Sequence, residues 1–115
     1  MDASNIPSFD SSVTATVENL QTSPGYLDFF EVQNPNIVQV FLQLFDGAAA
    51  SVTLGTTAPT MSLLVPPGDG NASGGRAEVL NHPPYFNKAI SYAVTTTATG
   101  STAPTTACGV GFVRH

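Results

Sequence analysis

Positive charge is the scarcest property of this chain. Arg76, Lys88 and Arg114 are its only lysines and arginines, set against eight acidic residues, for a net charge of −5. Nucleic-acid binding needs a basic surface, so no nucleic-acid partner is expected, and the same shortage argues against an anionic membrane surface. Only 10% of residues are charged at all, well under the ~25% usual for soluble domains. Tryptophan is absent and Cys108 is the one cysteine, so neither an internal disulfide nor a cysteine-based metal site is expected. No run approaches the ~20 apolar residues of a membrane span. The opening MDASNIPSFDSS has neither the positive start nor the apolar core of a signal peptide. The chain therefore reads as made in a reducing cytoplasm.

Thr, Ser, Ala, Gly and Pro fill the gap. They suit short strands and many turns, and the Lys, Glu and Leu that build helices are sparse. At 115 residues, one domain with a real core is expected. So few charges on a small β protein also imply that partners cover much of its surface.

The strongest segment is Ile37 to Asp46, IVQVFLQLFD, with seven apolar residues in ten. Alternation puts Val38, Val40, Leu42 and Leu44 on one apolar face. Ile37, Gln39, Phe41, Gln43 and Phe45 form a mixed face that is expected to be covered only in part. Asn34-Pro35-Asn36 before it and Asp46-Gly47 after it favour a central antiparallel strand over a helix. Further strands are expected at Val13–Leu20, Tyr26–Gln33, Ala50–Leu54, Met61–Val65, Ala89–Ala98 and Cys108–Val113, with a short edge strand at Arg76–Leu80. In Cys108–Val113, Gly109 and Gly111 would admit another backbone. Gly68 to Gly75 reads as a mobile surface loop. Residues 1–12 carry no periodic pattern and read as a flexible N-terminal arm that orders on a partner, leaving 13–115 as the domain. The expected fold is all-β, an antiparallel β-sandwich with a jelly roll among its topologies. It has about seven to eight short strands, helical content near zero, and an extended N-terminal arm.

A chemical site is harder to find. His82 lies in a loop before two prolines with no second metal ligand near it in sequence, and His115 is the final residue. No GxSxG elbow is present. Asp28 and Glu31 are three apart in a strand pattern, which points them to opposite faces and away from acid–base pairing. Asp69 alone falls far short of a calcium site. The glycines around Asp69 lack the helix that a phosphate loop requires. No cofactor, no metal and no catalysis are expected. Partner contacts are expected at Ile6 and Phe9 on the arm and at the aromatics Tyr85 and Phe86.

The segment VFLQLFDGAAASVTLGTTAPTMSLLVPPGDG and the later FNKAISYAVTTTATGSTAP resemble a recurring type of small tailed-phage virion protein. The matching elements are Leu44-Phe45-Asp46 at a strand end, the Val52–Pro59 loop, the Val65-Pro66 strand end and the Ile90–Thr95 strand. The resemblance covers roughly Ile37 to Val113, and between Gly70 and Phe86 the chain takes a longer route than those proteins do. It implies a virion β-sandwich of the capsid decoration or cement type, located on the capsid surface. The implied partner is the major capsid protein, with self-association as a trimer or dimer. A head–tail connector or tail component, and a receptor- or carbohydrate-binding module using Tyr26, Tyr85 and Tyr92, are the alternatives.

Overall fold

The computed structural model describes residues 5–115. Nine strands are formed: β1 (Ile6–Val13), β2 (Glu18–Gln21), β3 (Gly25–Asn34), β4 (Val40–Asp46), β5 (Met61–Val65), β6 (Gly74–Val79), β7 (Tyr85–Phe86), β8 (Ile90–Thr95) and β9 (Cys108–Arg114). A single 3-10 turn at Ala49–Ser51 is the only helical element among the described residues. One sheet runs β1-β9-β3-β6, with β7 beside the start of β3; the other runs β2-β8-β4-β5. Every pairing is antiparallel. With β7 set aside, these are the eight strands and two four-stranded sheets of a jelly roll.

The core forms where alternate residues of the two sheets meet. Val40, Leu42 and Leu44 of β4, with Ile90, Tyr92 and Val94 of β8, face Leu27, Phe30 and Val32 of β3 and Cys108, Val110 and Phe112 of β9. The Tyr92 and Phe112 rings pack at 4.8 Å, tilted by 58°. Each large apolar side chain hidden here stabilises the fold by roughly 1.5–3 kcal/mol. The sandwich is stitched at its open sides by its two arginines. Arg76 lies over the Phe30 ring, pairs with Glu78 and donates to the Leu64 carbonyl of β5. Arg114 donates to Gln21 Oε1 of β2 at 2.9 Å.

Asn34 and Asn36 do more than end β3. Asn34 is fully buried; its Nδ2 donates to the Val38 and Pro66 carbonyls, and its Oδ1 accepts from the Asn36 backbone. Asn36 in turn holds the Thr106 backbone through both its amide atoms. Buried polar groups need such partners, so these amides fix three chain crossings at one end of the sandwich.

Several expectations need correction. Residues 6–12 are not a separate arm: Ile6 to Asp10 pair residue by residue with Arg114 to Val110, so the boundary expected at residue 12 falls inside β1. Main-chain pairing makes this strand, and main-chain pairing needs no apolar periodicity. Residues 1–4 of the expected arm lie outside the described residues. Val13–Leu20 is not one strand; β1 ends at Val13 in one sheet and β2 begins at Glu18 in the other. The central strand starts at Val40, leaving Ile37 72% exposed. Ala50–Leu54 begins within the 3-10 turn and forms no strand.

The second face of β4 is covered in part, as expected: Gln43 and Phe45 are buried, Phe41 is half-buried, and Gln39 and Ile37 before the strand are exposed. The chain's own loops do this. Gln43 Nε2 donates to Thr95 Oγ1 at 2.6 Å and to the Gly100 carbonyl at 3.1 Å. Ser62 and Ser91 hydroxyls donate to the carbonyls of Ala98 and Gly47. The loops beginning at Gly55 and Gly100 meet here, with Ser101 against Gly55. The β4 sheet is thus roofed on its outer side over Gln43 and Phe45, while Phe41 and its neighbour Leu64 lie beyond the roof.

Candidate interaction face

The outer side of the β1-β9-β3-β6 sheet is built differently. Strand register places Pro7, Val113, Phe29 and Val79 side by side in one row across all four strands. The next row is Phe9, Gly111, Glu31 and Ala77. At the other margin of the first row, His115, Tyr26 and Tyr85 form a third, because Tyr26 exchanges both backbone hydrogen bonds with His115 and pairs with Tyr85 of β7. Pro7, Phe9, Tyr26, Val79 and Tyr85 are exposed, Phe29 and Val113 half-buried. Val79 is 72% exposed and Phe9 55%. A contiguous apolar and aromatic face of this kind on a small domain is a candidate contact surface.

A bulge creates this face. Leu27 pairs with Arg114 and Phe29 with Val113, leaving Asp28 as the extra residue. Before it, Gly25 and Leu27 are buried; after it, Phe30, Val32 and Asn34 are. The alternation changes phase at Asp28, which turns Phe29 and Glu31 outward. The expectation that Asp28 and Glu31 occupy opposite faces is therefore wrong. Nothing local in the sequence announces the bulge, because the partner strand determines it.

The two glycines of β9 are used differently from expectation. Side chains lie over them, in place of another backbone. A Cβ on Gly109 would stand 2.9 Å from Phe9 Cζ, and one on Gly111 would stand 2.9 Å from Glu31 Cγ. The bare glycines let the Phe9 ring and the Glu31 stem lie flat on the sheet.

Of the expected contact residues, Phe9 and Tyr85 lie on this face. Ile6 is exposed but, three residues from Phe9, belongs to the opposite side of β1. Phe86 is a correction: it is fully buried in the core, because successive residues of β7 point in opposite directions. Phe29, Val79 and Val113 were missed, since their proximity depends on register between distant strands, and Tyr26 was named only as a sugar-stacking residue.

The aromatic row carries polar chemistry as well. Tyr26 stacks on the His115 ring at 4.7 Å and 11°, and meets Tyr85 at 4.8 Å, tilted by 52°. His115 Nδ1 lies 2.7 Å from Asp28 Oδ2.

Other polar groups serve the fold. A recess of about 450 Å³ is lined in part by Phe45, Asp46, Thr57, Thr60 and Lys88. Burial alone would raise the Asp46 pKa, but backbone N–H groups of Asn87, Lys88 and Ala89 outweigh it and hold the carboxyl below its usual range. Asp69 is likewise lowered by the backbone N–H groups of Ala72 and Asn71. Burial pushes the Cys108 thiol up to about 11, as suits an inert core residue. Among the described residues, no three His, Cys, Asp or Glu groups gather where they would hold a metal. No family model, curated protein or solved structure matches this chain.

Proposed function

We propose that this chain is a non-enzymatic virion structural protein, a decoration or cement protein that docks on the outer surface of a phage head and stabilises it. The observation that carries the reading is the inequality of the two outer sheet faces. Most of the β4 sheet is roofed by the chain's own loops, leaving Phe41 and Leu64 at one end, while the β1 sheet presents the row Pro7, Val113, Phe29 and Val79 with Phe9 and Tyr85 beside it. An exposed apolar row on a sheet face is stabilised by being covered. The resemblance of Ile37–Val113 to small virion proteins supplies the partner, the major capsid protein. Viral capsid domains are among those that use the jelly roll, although fold alone does not specify function. Many copies on a symmetric shell would add avidity to a modest single contact, whether each unit is a trimer, a dimer or one chain.

Copy number in purified particles tests this reading. A stoichiometry comparable to the major shell protein supports it. A handful of copies moves the protein to a connector or tail position, and absence from the particle overturns the structural role. A second reading, a carbohydrate-binding module, draws on the half-exposed Tyr26 and Tyr85 beside Asp28, since tyrosine faces stack on sugars and a carboxylate accepts from their hydroxyls.

A further inference from the structure

The face proposed above for docking has an uneven charge pattern. Its acidic side chains are Asp28, at the bulge, and Glu31, whose stem crosses Gly111. All three cations of the chain lie elsewhere. Arg76 and Arg114 are drawn to the inner side of their strands, where they reach Leu64 and Gln21 of the opposite sheet. Lys88 lines the recess beneath the loops of the β4 sheet. His115 is at the face, engaged with Asp28 and stacked on Tyr26. Two exposed tyrosine rings therefore stand beside a carboxylate, with no lysine or arginine of the chain to fill the space.

Resting on the docking reading, we propose that this face receives a cationic protein surface that presents arginine. One guanidinium would stack against Tyr85 beside Tyr26 and donate to Asp28. A second would reach Glu31 across the β9 glycines. Three physical points select arginine. Its planar cation stacks on aromatic faces. Its forked donors match a carboxylate. It is also more weakly hydrated than the lysine ammonium, so less is lost when the apolar row beside it is covered. The apolar row supplies area, and the aromatic–acid margin supplies orientation and choice of partner.

The test is an NMR titration of the whole chain with three probes: a capped Gly-Arg-Gly-Arg-Gly peptide, its lysine counterpart and methyl glucoside. The expected result is a saturable shift of Tyr26, Tyr85, Asp28 and Glu31 resonances with the arginine peptide and a weaker response to lysine. Tyr85→Ala should weaken arginine binding by about two- to fivefold, Asp28→Asn should weaken it similarly, and added salt should weaken it further. Equal binding of the lysine peptide, saturation by the sugar alone, or no saturable shift overturns the proposal. In parallel, Phe9→Asp and Val79→Asp are assayed for attachment to heads. A failed titration with attachment abolished by these variants rejects arginine but keeps the docking face. A successful titration with attachment unaffected keeps the arginine site and rejects the docking reading.

Discussion

The Tyr92 hydroxyl of β8 donates to Asp10 Oδ2 of β1 at 3.1 Å, joining a central strand of one sheet to the edge strand of the other. Glu18 of β2 belongs to the same group: burial, then hydrogen bonding to and the charge of Asp10, raises its pKa above the ordinary 4.5. Burial and the Asp10 charge also raise Tyr92. Two carboxyls and a phenol thus share one margin of the sandwich, and a proton on Glu18 relieves its repulsion with Asp10.

A pH dependence follows with a definite sign. A raised folded-state pKa means that the folded chain holds the Glu18 proton more tightly than the unfolded chain does. The stabilisation is complete below the ordinary glutamate value and is lost as pH rises through the raised value. We predict that Glu18→Gln raises Tm at neutral pH and brings no gain at about pH 4. Equal effects at both pH values would show that the carboxyl is not under strain here.

Asp46 has the opposite sign. Its lowered pKa means that its contribution is present above the ordinary aspartate value of 3.8 and is lost as pH falls through the lowered one. The carboxylate accepts from the Asn87 and Lys88 backbones at 2.9 and 2.8 Å, closing the approach to β8. We predict that Asp46→Asn costs about 1 kcal/mol at pH 7 and progressively less in acid. Urea denaturation at both pH values reads this, and a cost independent of pH would count against it.

Tyr85 and Phe86 are neighbours with separate roles. Phe86→Ala removes a fully buried ring and is expected to cost about 3–5 kcal/mol. Tyr85, 48% exposed, should tolerate alanine within about 1 kcal/mol. Thermal melts of the two variants decide this, and similar losses would show that Tyr85 also serves the fold.

The docking face gives a prediction of the reverse kind. Phe9→Asp and Val79→Asp each place a charge in the exposed apolar rows, where folding stability is expected to change by less than about 1 kcal/mol. Attachment to heads should fall by about tenfold or more for each. Sedimentation with particles measures this. Unchanged attachment with both variants would move the contact away from the β1 sheet.

What could be read from sequence was local. β4, β5, β8 and β9 follow from two-residue alternation of Val, Ile, Leu and aromatics between turn residues, and the pattern sufficed for an all-β sandwich. β1 was hidden because IPSFDSS has no such alternation; β9 supplies its order. The bulge at Asp28 was hidden for a related reason, since a phase change in one strand is defined only by its partner. The face itself depends on residues 7, 113, 29 and 79 arriving in register. No window of sequence contains them, although Phe9 and Tyr85 were legible as aromatics without a place in any core pattern.

The edge position of β1 also has a mechanical consequence. It runs antiparallel to β9, with Ile6 opposite Arg114. Tension applied between these two ends would open the pairs one after another, as a zipper opens, and would not load them all in shear. A load that entered by the ends would strip such a strand at low force. Load entering through the broad side of the sheet would instead be divided among four strands at once.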